Sequence, residues 1–194
     1  MSGPIATRRR ATYEDLCAVP DHEVAEILDG ELIVTPRPAL RHASASSSLG
    51  GQIWGPFQGG RVGPGGWWIL DEPELHLADD ILVPDLAGWR RERVPVLPDT
   101  AFMTLAPDWV CEVISPSTER IDRSRKMRIY AREGVEHLWL LDPIVRTLEV
   151  LRLEGGRWVL IATHTDADVV RAEPFEAIEI DLTLLWPTPP PGPG

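Results

Sequence analysis

The sequence predicts an α/β (α+β) fold, one that mixes antiparallel hairpins with a parallel crossover. Three observations predict it. Asp29-Gly30 separates two short apolar runs, the pattern of a hairpin closed by a type I′ turn. A buried run at Trp109, a helical stretch and a second buried run ending at Asp142 read as a right-handed strand–helix–strand unit. Glu154-Gly155-Gly156 joins two further strand-like runs into a C-terminal hairpin.

Taken in order, Thr12-Tyr13-Glu14-Asp15 starts a short helix, with Thr12 as N-cap and Asp15 in the capping-box position, ending near Pro20. Val24 to Leu28 and Glu31 to Val34 are the first hairpin. From Pro38 to about Phe57, a stretch rich in serine and alanine carries Leu40, Leu49, Ile53 and Trp54 and reads as a helix, despite Gly50 and Gly51. A glycine-rich loop follows from Gln58 to Gly66. Trp67 to Leu70 and Glu74 to Leu77 are expected to pair around Asp71-Glu72-Pro73, and Val83 to Trp89 to form a third strand entered through Pro84. Trp109 to Ile114 is apolar except for Glu112, which suggests a strand buried on both faces. Ser117 is expected to cap a helix running to about Glu133 and closed by Gly134. His137 to Leu141 is another buried strand, and Thr147 to Leu153 pairs with Trp158 to Thr163. Residues 1–11 are expected to be a flexible start, 12–186 a single domain, and the Pro/Gly-rich residues 187–194 a disordered tail.

Composition bounds the function. A chain of 194 residues suits one domain. No apolar run nears the roughly 20 residues that span a bilayer, and no apolar segment follows Arg8-Arg9-Arg10, so a cytoplasmic protein without a membrane partner is expected. Cys17 and Cys111 stand apart with no CxxC, which suggests neither a disulfide framework nor a zinc site. The net charge of −11 argues against a general affinity for nucleic acid. Two basic clusters soften that objection: Arg90, Arg91 and Arg93, and then Arg120, Arg123, Arg125, Lys126, Arg128 and Arg132. Both are expected to flank the site, either contacting phosphate or forming ordinary surface ion pairs.

Lys126 is the only lysine in the chain. Arginine stays protonated, whereas a desolvated amine can change its protonation state, so a solitary lysine among arginines points to a specific task. Glu112 interrupts an apolar strand, and a buried carboxylate costs several kcal/mol unless it is paired or metal-bound. Asp85 follows Pro84 on another strand-like segment. Two carboxylates on extended segments and an amine on the next helix are the parts of a metal-dependent phosphodiester-cleaving site. Mg²⁺ prefers one or two carboxylates, water and phosphate oxygens. Asp85 and Glu112 suit that role, with the backbone carbonyl of Val113, next to Glu112, as a third ligand and Mn²⁺ as a substitute ion. Lys126 would orient or deprotonate the attacking water, or stabilise the developing charge. Asp122, Lys126 and Tyr130 recur at i, i+4 and i+8 and share a helix face, with a surface ion pair between Asp122 and Lys126 as the less favoured alternative.

Read in order, Glu26-Ile27-Leu28-Asp29-Gly30-Glu31-Leu32, His42, Pro84-Asp85, Glu112-Val113-Ile114-Ser115-Pro116-Ser117-Thr118, Asp122, Lys126, Tyr130, Gly134-Val135, Trp139 and Asp142-Pro143 resemble the Uma family of the PD-(D/E)XK restriction-endonuclease-like superfamily. The resemblance covers about residues 12–186 and is most specific from Glu112 to Asp142. It implies a restriction-endonuclease-like mixed sheet flanked by helices, with Asp85 and Glu112 as metal ligands. The superfamily's lysine two residues after the second acid is Ile114 here, so its role passes to Lys126, a displacement the family shares. Glu26 matches the family's early glutamate, a further acidic ligand or the holder of a metal-bound water, or else a polar residue on the hairpin's outer face. Ala25 stands where the family usually has an aromatic residue. His42 is expected to contact phosphate or assist proton transfer if it is not simply structural. Ser115 and Ser117 lack a GxSxG elbow and do not suggest a serine nucleophile. The eight tryptophans are assigned to packing.

The expected activity is therefore a Mg²⁺-dependent endonuclease acting on DNA, with a homodimer as one arrangement for two-strand cleavage and a protein partner as one source of DNA affinity. A catalytically silent interaction domain on the same fold is the alternative, and a hydrolase of small phosphate esters a third reading.

Overall fold

Asp29 and Gly30 both take left-handed backbone, with φ of 55° and 80°, as a type I′ turn requires. They close the hairpin of β1 (Glu23–Leu28) and β2 (Glu31–Pro36) in the expected register, Leu28 opposite Glu31. Before it, α1 (Tyr13–Cys17) carries the full capping box between Thr12 and Asp15. The Ala11 N–H donates to the Gly30 carbonyl and ties the chain's approach to the turn. The computed structural model describes residues 9–186; residues 1–8 of the expected flexible start and the whole expected tail lie outside them. After β2 comes α2 (Leu40–Ile53), which widens into a π turn at Trp54–Gln58.

The next four strands are β3 (Trp67–Asp71), β4 (Glu74–Leu77), β5 (Asp80–Leu82) and β6 (Leu86–Arg90). Contrary to expectation, β3 and β4 do not pair. β3 pairs with β6 and β4 with β5, and Asp71 opposite Leu86 keeps the same register as Leu75 opposite Leu82. The four strands are thus one long hairpin, turning at Ala78-Asp79, where Ala78 takes a φ of 53°. Its continuous register sets Pro73 opposite Pro84. Neither has an N–H to donate, so the ladder breaks there. The chain bends at the break and passes from one sheet to the other. Val83, Pro84 and Asp85 consequently lie between strands, and the expected strand Val83 to Trp89 begins only at Leu86.

β4 and β5 join the first hairpin and β7 (Phe102–Met103) in a five-stranded sheet ordered β2-β1-β5-β4-β7. β3 and β6 join β8 (Trp109–Val113), β9 (His137–Asp142), β10 (Thr147–Glu154) and β11 (Arg157–Thr165) in a six-stranded sheet ordered β11-β10-β9-β8-β6-β3. Its parallel pair is β8 with β9. Between them run α3 (Glu119–Ile121), a π turn (Asp122–Lys126) and α4 (Met127–Arg132), which confirms the crossover. The helical run starts at Glu119, not at a Ser117 cap. Ser117 and Thr118 instead bond the Ser115 hydroxyl, and Thr118 precedes the first turn. Gly134 ends the run with a φ of 76°. The short pair β12 (Val169–Val170) and β13 (Ile180–Asp181) and a 3₁₀ turn at Leu182–Leu185 complete the described chain.

The central strands β6, β8 and β9 of the six-stranded sheet are buried on both faces, as the near-continuous apolar runs of β8 and β9 predict, while the edge strand β11 is largely exposed. Trp109, Cys111 and Val113 point to one face, where Ala45, Leu49 and Ile53 of α2 and Phe175 cover them. Val110 and Ile114 point to the other, beneath Ile129 and Tyr130 of α4 and Leu28, Leu75 and Leu82 of the five-stranded sheet. By the two-residue period of a strand, Glu112 shares this second face. Trp67, Trp109 and Trp139 pack edge-on around Phe175, in keeping with the packing role assigned to tryptophan. Cys17 and Cys111 are both free thiols. Among the described residues no helix is long and apolar enough to cross a membrane.

Candidate active site

Lys126 is 3 % exposed, which excludes the surface ion pair as its setting. Its ammonium lies 2.9 Å and 3.0 Å from the two carboxylate oxygens of Glu112, 3.0 Å from Glu26 Oε1 and 3.8 Å from Asp122 Oδ1. It also donates to the Val83 carbonyl at 3.3 Å. The π turn helps bring these groups together. Each four-residue step of an α-helix overshoots a full turn by about 40°. The wider turn from Asp122 to Lys126 offsets that drift, so Asp122, Lys126 and Tyr130 stay on one face. Burial opposes the charge on Lys126, but Glu112 and Glu26, with Tyr130 and Asp122, outweigh it and raise its pKa well above the ordinary range. Lys126 is therefore a fixed cation. In that state it can orient a water or stabilise developing charge, whereas acting as a general base requires it first to lose its proton.

Glu112 is 2 % exposed and both of its oxygens have partners. Besides Lys126, the Tyr130 hydroxyl donates to Oε1 at 2.6 Å. Burial first, then repulsion from Asp122, Asp85 and Glu26, outweighs the pull of Lys126 and pushes the Glu112 pKa well up. Burial, joined by Glu26 and Asp85, likewise pushes Asp122 up to about 6 against Lys126 and a hydrogen bond with Thr118. Burial and Glu112 raise Tyr130 too, so it remains a neutral phenol donor. Three carboxylates, Glu112, Glu26 and Asp122, meet one ammonium: their combined attraction keeps the lysine charged, while burial and the crowding of acids push Glu112 and Asp122 up.

Asp85 occupies the bend before β6 rather than a strand, freed by the ladder break at Pro84. Its Oδ2 accepts from the Val113 N–H at 2.7 Å, which fixes the carboxylate across the end of β8. Its Oδ1 lies 3.3 Å from His42 Nε2. His42 belongs to the buried stripe of α2 with Ala45, Leu49 and Ile53, and also bonds the Val113 backbone. Burial works against its charge, yet Asp85 and the Val113 carbonyl outweigh burial and raise its pKa. Glu26, on β1, accepts from the Val83 N–H at 2.8 Å, so its side chain faces the site and not the outer face of the hairpin.

These groups line a cavity of about 340 Å³ that includes Glu26, His42, Asp85, Glu112, Asp122 and Lys126. Tyr130 stands behind Glu112, outside the lining. The donor set fits a hard divalent cation: the acids are oxygen donors, they exceed the local positive charge, and their mutual repulsion is visible in Glu112 and Asp122. Among the described residues no three His, Cys, Asp or Glu side chains form a ready metal cage.

Two site-level expectations change. The Arg90, Arg91 and Arg93 cluster lies at the opposite end of β6 from Asp85, where Arg90 and Arg93 pair with Asp108 and Arg91 bonds the Trp67 and Gln58 carbonyls. In the second cluster, Arg123 pairs with Glu119 and Glu149, Arg125 with Glu31, Arg128 with Asp29 and Arg132 with Asp80 and Glu133. The ordinary ion-pair reading holds for these arginines. Sequence reasoning missed Val83, whose backbone ties Glu26 to Lys126, and Thr118, which bonds Asp122. The Val83 signal was present in Pro84, whose missing N–H marks where the neighbouring backbone leaves the ladder.

The model of the Uma2 family, described as "Putative restriction endonuclease", matches residues 10–184. Among solved structures, the chain is similar to one described as a "putative nuclease belonging to DUF820 from Anabaena variabilis ATCC 29413". That likeness has a TM-score of 0.72 at 20% identity, covers 91% of this chain and 97% of that one, and establishes the fold. No curated protein matches the chain. With its restriction-endonuclease-like fold and a family match over nearly its whole length, the chain belongs to the Uma2 family.

Proposed function

We propose that this chain is a metal-dependent endonuclease that hydrolyses DNA phosphodiester bonds. The observation that carries the reading is the excess of carboxylates, Glu26, Asp85, Glu112 and Asp122, around one charged amine in an open-mouthed cavity. Asp85, Glu112 and the Val113 carbonyl would hold Mg²⁺, or Mn²⁺ in its place. When bound, the ion supplies charge neutralisation at the phosphate and a more acidic water. Lys126 fixes the Glu112 carboxylate and presents positive charge to a non-bridging oxygen as the pentavalent centre forms. Tyr130 holds Glu112 from behind in one rotamer. Purified protein should nick plasmid DNA with Mg²⁺ or Mn²⁺, stop with EDTA, and lose activity in Asp85→Ala, Glu112→Ala and Lys126→Ala. Cleavage that survives in the Asp85→Ala/Glu112→Ala double variant would overturn the assignment.

A second reading, a catalytically silent interaction domain, is favoured by the ion pairing of the arginine clusters in a chain of net charge −11. It predicts no heat of Mn²⁺ binding in calorimetry and a stable protein partner in pull-downs. A protein partner that supplies DNA affinity would instead restore cleavage when added back.

A further inference from the structure

Within the metal-dependent reading, on which this inference rests, one residue has no task. His42 is 8 % exposed and sits at the cavity end of the stripe Ala45, Leu49 and Ile53. Leucine or alanine would serve that packing position, and a buried imidazole costs free energy unless its nitrogens are used. Its ring meets Asp85 Oδ1 and the Val113 backbone, two of the three expected ligand positions. Asp85 Oδ2 is already committed to the Val113 N–H, so Oδ1 is the oxygen left to face an ion, and it is the one His42 approaches.

We propose that His42 is a direct ligand of the divalent ion, completing a set of Asp85 Oδ1, the Val113 carbonyl and His42 Nε2, with Glu112 across the cavity. The spacing suits this. Neighbouring ligands about 2.1 Å from an octahedral ion and at right angles lie roughly 3 Å apart, and Nε2 is 3.3 Å from Oδ1. On loading, the Nε2 lone pair forms the bond to the ion, any proton held on Nε2 leaves to solvent, and Nδ1 carries the remaining ring hydrogen. An imidazole in an otherwise oxygen shell moves the preference away from Mg²⁺ toward the later first-row ions. The site thus selects Mn²⁺ or its heavier neighbours over Mg²⁺, which two carboxylates and a carbonyl alone would not.

The test is pulsed electron paramagnetic resonance of Mn²⁺ bound to the full chain. The wild type should show nitrogen modulation, which shifts to the ¹⁵N frequency when the protein is made with ¹⁵N-histidine; neither measurement needs a variant. His42→Gln should abolish the modulation, weaken Mn²⁺ binding about tenfold or more, and change Mg²⁺ binding much less. Stoichiometric Mn²⁺ binding that Asp85→Asn removes, but without nitrogen modulation in the wild type, overturns the ligand role of His42 and leaves the metal-dependent reading standing. Absence of Mn²⁺ binding, or binding that Asp85→Asn leaves unchanged, overturns both.

Discussion

The Lys126 ammonium bridges the two oxygens of Glu112, at 2.9 Å and 3.0 Å, from a helix that begins only after β8 has ended. Neither charge is tolerable alone at that depth. Lys126→Ala should therefore destabilise the fold by about 3–5 kcal/mol, because Glu112 loses its counter-charge. Lys126→Met combined with Glu112→Gln should recover much of the loss. Urea denaturation of the wild type, Lys126→Met, Glu112→Gln and the double variant measures the coupling, and strict additivity would contradict the pairing.

Tyr130 makes one polar contact whose loss is measurable. Tyr130→Phe keeps the ring in the core and deletes the hydroxyl that donates to Glu112 Oε1 at 2.6 Å. A hydrogen bond to a charged group contributes about 1.5–3 kcal/mol. A loss of stability of that size, read as a lower denaturation midpoint at an unchanged denaturant slope, is the expected result.

The crowding of acids makes stability depend on pH. Asp122 titrates at about 6 in the folded chain against an ordinary value of 3.8. Between those values the folded state binds the proton and the unfolded state does not, so stability falls as pH rises through the window and is greatest below it. The difference corresponds to roughly 3 kcal/mol at neutral pH. Asp122→Asn should be more stable than the wild type at pH 7.5 by up to that amount, and the two should converge near pH 4. Thermal unfolding across this range tests it, and a variant less stable at every pH would refute the sign.

Asp85 is set by the bend and not by a strand, and its carboxylate is already oriented by the Val113 N–H. Asp85→Asn keeps an acceptor for that N–H and removes the charge. The fold should persist by circular dichroism, while Mn²⁺ affinity by calorimetry should fall at least about tenfold. Unchanged affinity would mean that the ion binds elsewhere.

Several features were legible in the sequence because they depend on neighbours along the chain. The Asp29-Gly30 turn, the Thr12–Asp15 capping box, the hairpin across Gly155-Gly156 and the crossover between β8 and β9 are local patterns of backbone freedom, capping and apolar period. Glu112 was conspicuous for the same reason, as one acid in an apolar strand. Where local rules misled, the cause was specific. Asp71-Glu72-Pro73 resembles a turn but is half of a proline-paired break, whereas the actual turn at Ala78 uses a residue that seldom takes a left-handed backbone. The arginine-rich helix looked available to phosphate because the acids that neutralise it, Asp29, Glu31, Asp80 and Glu149, lie on other elements.

By itself, then, the sequence determined most of the longer strands and helices, the lone acid Glu112 in an apolar strand and the solitary amine placed one helix later, since strand period and helix spacing follow from backbone geometry alone. Only the tertiary structure decided that Lys126 is buried and stays charged, that Glu26 turns inward to share it, and that His42 meets Asp85 and Val113. Those outcomes depend on burial and on the number of charges gathered at one point. Both are set by segments far apart in the chain, which the bend at Pro73 and Pro84 brings together.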